Sequence, residues 1–290
     1  VPNLYFGLFD WHICLIQLLL AVSLFAPTKR LTQRWTWPLI ALGGSIKLIH
    51  FFAIPFLYRK GDQAKRSFQL SVASLVLFHL PFIFFGYHEF RVFIAYHRLR
   101  SIDCFSIYST VLEGLSNLGL YKLEKGWEYG SYDLMGRVPM MLAKASLPAF
   151  LVVLALLVWK FGPKATLQQS FGGFSVAMAL YPVISKVSGT NYCLWVVAAI
   201  IGTWIAGYNR LQFMKQTSVL LSVALACEML HDRLFDDFLL PQVPWRSIIV
   251  SVIRLATYVA IALLMLAEIR QHSIDDKFVI DEFSPSPRKF

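Results

Sequence analysis

The sequence predicts an all-α polytopic integral membrane protein, and three observations predict it. Of its 290 residues 57% are apolar and only 15% are charged, where an ordinary soluble chain carries about 25% charged residues. The mean hydropathy is +0.58. The apolar residues stand in unbroken runs, Ser67–Tyr87, Ala165–Ser185 and Val187–Asn209, none of which holds a Lys, Arg, Asp or Glu. Runs of about 18 or more residues are long enough to cross a bilayer. Backbone groups in lipid must bond within their own segment, and the alternating ten-residue strands of a barrel are absent, so the runs are helices. A soluble enzyme, a disordered chain and a disulfide scaffold are excluded.

Eight apolar segments follow in order, at about 11–27, 35–58, 68–87, 138–159, 165–185, 192–208, 216–230 and 245–267. The second is unusual. Lys29, Arg30 and Arg34 precede it and Arg59, Lys60, Lys65 and Arg66 follow it, so a single crossing would place basic clusters on both membrane faces, against the positive-inside tendency. A re-entrant hairpin keeps both inside, and Gly43-Gly44, Lys47, His50 and Pro55 offer the means for the break. Later basic loops then also fall inside: Lys160 with Lys164, Arg210 with Lys215, and the tail after Arg270. The 88–137 loop, the turn around Lys186 and the 231–244 loop fall outside. Residues 1–268 form one membrane domain, and 269–290 form a cytoplasmic tail able to dock a membrane-protein partner.

The formal charge of +10 reads as loop lysines and arginines, not as a nucleic-acid surface. Cys14, Cys104, Cys193 and Cys227 show no paired spacing and read as small apolar fillers. The chain opens Val1-Pro2-Asn3 without a basic stretch before an apolar core, so a signal peptide is not expected and a start inside a longer protein is. No phosphate-binding loop, dinucleotide fingerprint or zinc-protease motif is present. His231-Asp232-Arg233 with Asp236-Asp237 suits either a metal or acceptor contact or a solvated face.

In the outside loop, Phe90, Phe93, Ile94, Tyr96, Phe105, Tyr108, Val111, Leu112 and Leu115 recur at near-helical spacing, which predicts amphipathic helices on the membrane surface. Among them stands Tyr96-His97-Arg98-Leu99-Arg100-Ser101-Ile102-Asp103. Lipid-headgroup contact is the plain reading of these cations.

Two blocks resemble a known family. Leu42-Gly43-Gly44-Ser45-Ile46-Lys47-Leu48 with Tyr96-His97-x-x-Arg100-x-Ile102, and later Lys186-Val187-Ser188-Gly189-Thr190-Asn191-Tyr192-Cys193-Leu194-Trp195, are similar to motifs of the polyprenol-phosphate-sugar-dependent mannosyltransferases of glycosyltransferase family 87, which have the GT-C architecture. The resemblance spans residues 13 to 268 and corresponds to the family's middle and C-terminal parts. It implies a bacterial plasma-membrane enzyme that moves a sugar, commonly mannose, from a polyprenyl-phosphate donor to an acceptor hydroxyl at the outer face, with inversion.

Such a transfer needs a carboxylate to take the acceptor's proton and fixed positive charge where the leaving phosphate gains negative charge. The resemblance assigns His97 and Arg100, with Arg98 as a third, to phosphate or sugar; Lys186 and Lys47 to the donor phosphate; and Asn191 and Tyr192 to the sugar. Plainer readings stand beside each: an interfacial aromatic for His97, a snorkelling lysine for Lys186, a neutralised hairpin charge for Lys47, turn contacts for Asn191 and Tyr192. No resident cofactor or metal is expected, and the partners are membrane lipids and the lipid-linked donor.

The departures are specific. Phe105 stands where the family has glutamate, which leaves Asp103 as the candidate carboxylate. Gly189, Thr190 and Asn191 replace Ser, Pro and Gln. The acidic residue of a first outside loop, the family's proposed base, has no recognisable counterpart. Three readings follow: an active transferase, a catalytically silent membrane subunit or lipid-binding scaffold, and a transporter.

Overall fold

A computed structural model describes residues 2–25, 35–46, 48–58, scattered positions between 69 and 99, 100–128, 131–162, 164–189 and 192–283. Lys47, His97, Arg98 and Asn191 lie outside the described residues, as does most of the third apolar segment. The chain is mostly helical. Among the described residues three helices are long and apolar enough to cross a membrane: Arg137–Phe161, Leu211–His231 and Trp245–His272. At 1.5 Å per residue the first of these is about 37 Å long, beyond the ~30 Å of a bilayer's hydrocarbon core. Leu147, Leu151, Val152, Leu156 and Trp159 stand exposed along it. A bare apolar stripe of that length is a liability in water and is solvated in lipid.

In chain order the helices are α1 (Pro2–Phe25), α2 (Thr36–Ile46), a 3-10 helix (Leu48–Ala53), α3 (Ile54–Leu57), α4 (Ile107–Asn117), α5 (Arg137–Phe161), α6 (Leu167–Ile184), α7 (Cys193–Ile205), α8 (Leu211–Arg233), α9 (Phe235–Leu239) and α10 (Trp245–Phe283). The core forms around α6, which is buried on all sides from Ser170 through Ala179 and packs against α5, α7 and α10. Gly172 and Gly173 permit that crowding. A Cβ at Gly173 would meet Phe161 at 2.6 Å and Phe56 at 3.0 Å, and one at Gly172 would meet Ile269 at 2.7 Å. A capping box starts the helix, Thr166 and Gln169 each satisfying the other's backbone N–H.

Contacts sort the helix termini into two ends. At one end Asp103 N–H donates to Lys186 O (3.0 Å) just past α6, and Lys125 reaches the 238–240 segment beyond α8. At the other, Arg210 faces Glu268 at 3.7 Å and Gly207 lies beside Gln168. These contacts place the 100–135 segment, Lys186 and 238–240 at one end of the bundle and Gln168, Gly207, Arg210 and Glu268 at the other.

The second apolar segment breaks after Ile46 into the 3-10 helix and α3. The break folds the chain back on itself: a Cβ on Gly43 would lie 2.5 Å from the His50 ring, and one on Gly44 would run into the Phe51 ring. Thr36 hydrogen-bonds Ser23 (3.1 Å) near the end of α1, and Phe56 returns to Phe174 in α6.

One expectation is corrected. The fold is not all-α: β1 (Ile102–Asp103), β2 (Glu124–Glu128) and β3 (Ser131–Met135) form an antiparallel sheet in the order β1-β3-β2. In the continuously described part of the loop Ile107–Asn117 is helix, whereas Ile102–Asp103, Glu124–Glu128 and Ser131–Met135 pair backbone groups across strands too short to leave a period-2 signal. The tail expected from 269 is helical in its described part, since α10 continues to Phe283 beyond the apolar span that ends at His272.

Candidate functional site

The sheet end of the bundle gathers charges that are far apart in sequence. Arg100, immediately before β1, donates from Nη2 to Asp103 Oδ2 at 2.9 Å and to Ser131 Oγ at 2.5 Å, while its Nε faces Asp133 Oδ2 at 3.4 Å. Ser131 Oγ donates to Asp133 Oδ1 at 2.5 Å. Lys186, 86 residues further on, donates from Nζ to the Arg100 carbonyl at 2.5 Å. Local pairing positions each group. Register sets Asp103 opposite Asp133 on β1 and β3, Ser101 Oγ donates to Leu134 O at 2.7 Å, and Asp103 Oδ1 accepts from Phe105 N–H at 2.9 Å in a tight turn.

Arg100 is 5% exposed, Asp103 5% and Asp133 0%. Burial pushes the Asp103 carboxyl up to about 6, against the pull of Arg100, the Phe105 N–H and Arg254. The Lys186 ammonium is lowered by its partial burial and then by Arg100. Asp103 thus holds a burial-raised carboxyl directly against the Arg100 guanidinium.

Tyr192 is almost buried and belongs to an aromatic group instead. Its ring lies 4.5 Å from Trp195 and 6.2 Å from Tyr181, and Tyr181 contacts Phe150 at 5.1 Å. Thus Arg100, Asp103 and Lys186 come together, and Tyr192 stands in the aromatic group at the start of α7. Tyr108 Oη donates to Ile184 O at 2.9 Å and ties α4 to the end of α6.

Sequence reasoning missed several charged groups. Asp133 and Ser131 complete the Arg100 cluster, but nothing in the sequence pairs β1 with β3. Inside the bundle, Arg254 of α10 faces Glu228 Oε2 of α8 at 3.3 Å, Tyr258 donates to Glu228 Oε1, and Arg254 also donates to the Phe105 carbonyl. A signal existed: each of these two spanning segments carries an unexplained charge, and an ionisable group at membrane depth is costly and usually paired. At the edge of the sheet Glu113 faces Lys125 at 3.4 Å, and Lys125 Nζ donates to the carbonyls of Phe238 (2.7 Å) and Leu240 (3.0 Å). Burial pushes Glu113 up to about 8, outweighing Lys125.

His231 is buried with Nε2 at 3.1 Å from Ser251 Oγ, and Asp237 is held by Arg246 and Ser247. Among the described residues no His, Cys, Asp and Glu group could hold a metal ion, and the four cysteines are buried and form no disulfide with one another. A surface groove of about 420 Å³ opens between the 116–123 turn and Pro241–Gln242, away from Arg100 and Lys186. No protein-family model, curated protein or solved structure matches the chain.

Proposed function

We propose that this protein is a GT-C-like membrane glycosyltransferase that moves a sugar, mannose in the first instance, from a polyprenyl-phosphate donor to an acceptor hydroxyl at the outer face of a bacterial plasma membrane. One observation carries the reading: Arg100 and Lys186, the cations of two separate motif blocks, meet beside Asp103 at one end of a helical bundle. The break after Ile46 and the return of Phe56 toward α6 support a re-entrant second segment.

In the transfer, the acceptor oxygen bonds the anomeric carbon as the bond from that carbon to the phosphate oxygen breaks. The acceptor's proton goes to Asp103, a carboxylate raised into the range where a general base works near neutral pH. Protonated Asp103 no longer engages Arg100 as an anion, while Asp133 and Ser131 keep the guanidinium in place as a fixed charge for the phosphate. Lys186 supplies a second fixed charge.

A second reading, a silent subunit of a larger membrane complex, is favoured by one specific observation. Arg100 is already shared between Asp103, Asp133 and Ser131, as a structural latch would be. Reconstitution with polyprenyl-phosphate mannose and assay of both Asp103→Asn and Lys186→Met separates the two. The enzyme reading expects transfer by the wild type and loss of about 10²-fold or more in each variant; transfer undiminished in both removes the site.

A further inference from the structure

Arg254 contacts no group that reacts in the transfer above, yet at 0% exposed it is the most deeply buried Arg or Lys among the described residues. It sits within the spanning helix Trp245–His272, where an unpaired charge is costly and a charge kept in place has a partner. Its guanidinium joins two regions. Nη1 faces Glu228 on α8 at 3.3 Å, and Glu228 also accepts from Tyr258 one turn further along α10. Nη2 donates to the carbonyl of Phe105, which belongs to the outer turn.

That turn carries the proposed base. Asp103 Oδ1 accepts from Phe105 N–H at 2.9 Å, so Phe105 is gripped at both ends of its backbone: its N–H by Asp103, its C=O by Arg254. The ring is fixed as well, 4.6 Å from His231, 5.5 Å from Phe235 and 5.3 Å from Phe238. A continuous hydrogen-bonded path therefore runs from Arg100 through Asp103, the Phe105 backbone and Arg254 to Glu228 and Tyr258.

We infer that Arg254, with Glu228 and Tyr258, is the mooring by which the membrane bundle holds the Asp103 turn in place, a positioning group for the outer site. The role of Asp103 rests on the glycosyltransferase reading; the mooring itself does not. Arg254 acts through the Phe105 carbonyl and touches no reacting atom. Glu228 keeps the guanidinium aimed, and the planar fork allows one side chain to serve both partners at once.

Cys104, fully buried between the two anchor residues, reports on the turn directly. In protein reconstituted in liposomes, with Cys14, Cys193 and Cys227 replaced by alanine, the rate of Cys104 alkylation by N-ethylmaleimide is measured in the parent and in Arg254→Met combined with Glu228→Gln. The double change leaves no unpaired buried charge, so the helices stay folded while the bond to Phe105 is lost. The expected result is alkylation at least tenfold faster at Cys104, with a reporter cysteine placed at buried Leu112 on α4 unchanged and Arg254→Lys intermediate. Unchanged Cys104 protection overturns the mooring, and so does an equal rise at both positions, which signals general loosening. If the parent transfers no sugar while Cys104 is still unmoored in the variant, the transferase reading fails and the mooring stands.

Discussion

Arg100 shows how a residue's type is legible from sequence while its situation is not. Its place in a His-x-x-Arg motif marked it as a cation for an anion, but the anions it meets first are Asp103 and Asp133 of its own chain. Removing one partner of a buried ionic group leaves the others uncompensated, at a cost of about 3–5 kcal/mol. Arg100→Ala is therefore expected to destabilise the sheet end by roughly that amount, measured by chemical denaturation in detergent, in addition to any loss of activity. Arg100→Lys keeps the charge without the fork and falls between. For Asp103, ionisation centred near 6 means that a transfer rate depending on its base form rises through pH about 6 and levels off above it. Lys186 stood out in the sequence because it follows an uncharged run, and Glu228 left the signal of a carboxylate inside an apolar segment; Asp133 left none, because its pairing with Arg100 depends on β3 returning beside β1.

At the scale of elements, the helices were readable because lipid demands long apolar runs, and the sheet was not because its strands are two to five residues long. The break in the second segment was foreshadowed by Gly43-Gly44, whose missing side chains admit His50 and Phe51. Crowding at α6 gives a packing prediction: Gly173→Val places atoms into Phe161 and Phe56, and overpacking of this kind costs about 1–3 kcal/mol, visible as a lowered melting temperature. The Glu113–Lys125 pair gives a pH prediction. Glu113 binds its proton more tightly when folded, with a pKa near 8 against 4.5 for the free group, so its contribution is fully present below about pH 4.5 and is lost as pH rises through 8. Between pH 6.5 and 8, above the range of Asp103, stability of the sheet end should fall. Each tenfold gain in proton affinity on folding corresponds to about 1.4 kcal/mol at most. Glu113→Gln should flatten that slope in melts taken across the interval, and an unchanged slope assigns it elsewhere.

For the whole molecule, charge balance and run length predicted a membrane protein, and the exposed apolar face of α5 agrees with that prediction. Val152 is 61% exposed in the middle of the helix, so Val152→Arg should disfavour insertion by about 2.5–3.5 kcal/mol, read as reduced membrane-integrated protein. A control at the start of the same helix, Arg137→Lys, should leave insertion unchanged. What composition could not give was the juxtaposition at the sheet end, which depends on β3 returning past β1 and on α6 delivering Lys186 to the same place. The functional reading rests on that convergence. Sugar transfer in proteoliposomes from polyprenyl-phosphate mannose probes it, comparing the wild type with Asp103→Asn, an isosteric change that keeps the turn but cannot take a proton. A transferase built on this cluster gives measurable transfer in the wild type and a fall of about 10²-fold or more in the variant; equal rates in the two proteins would contradict it.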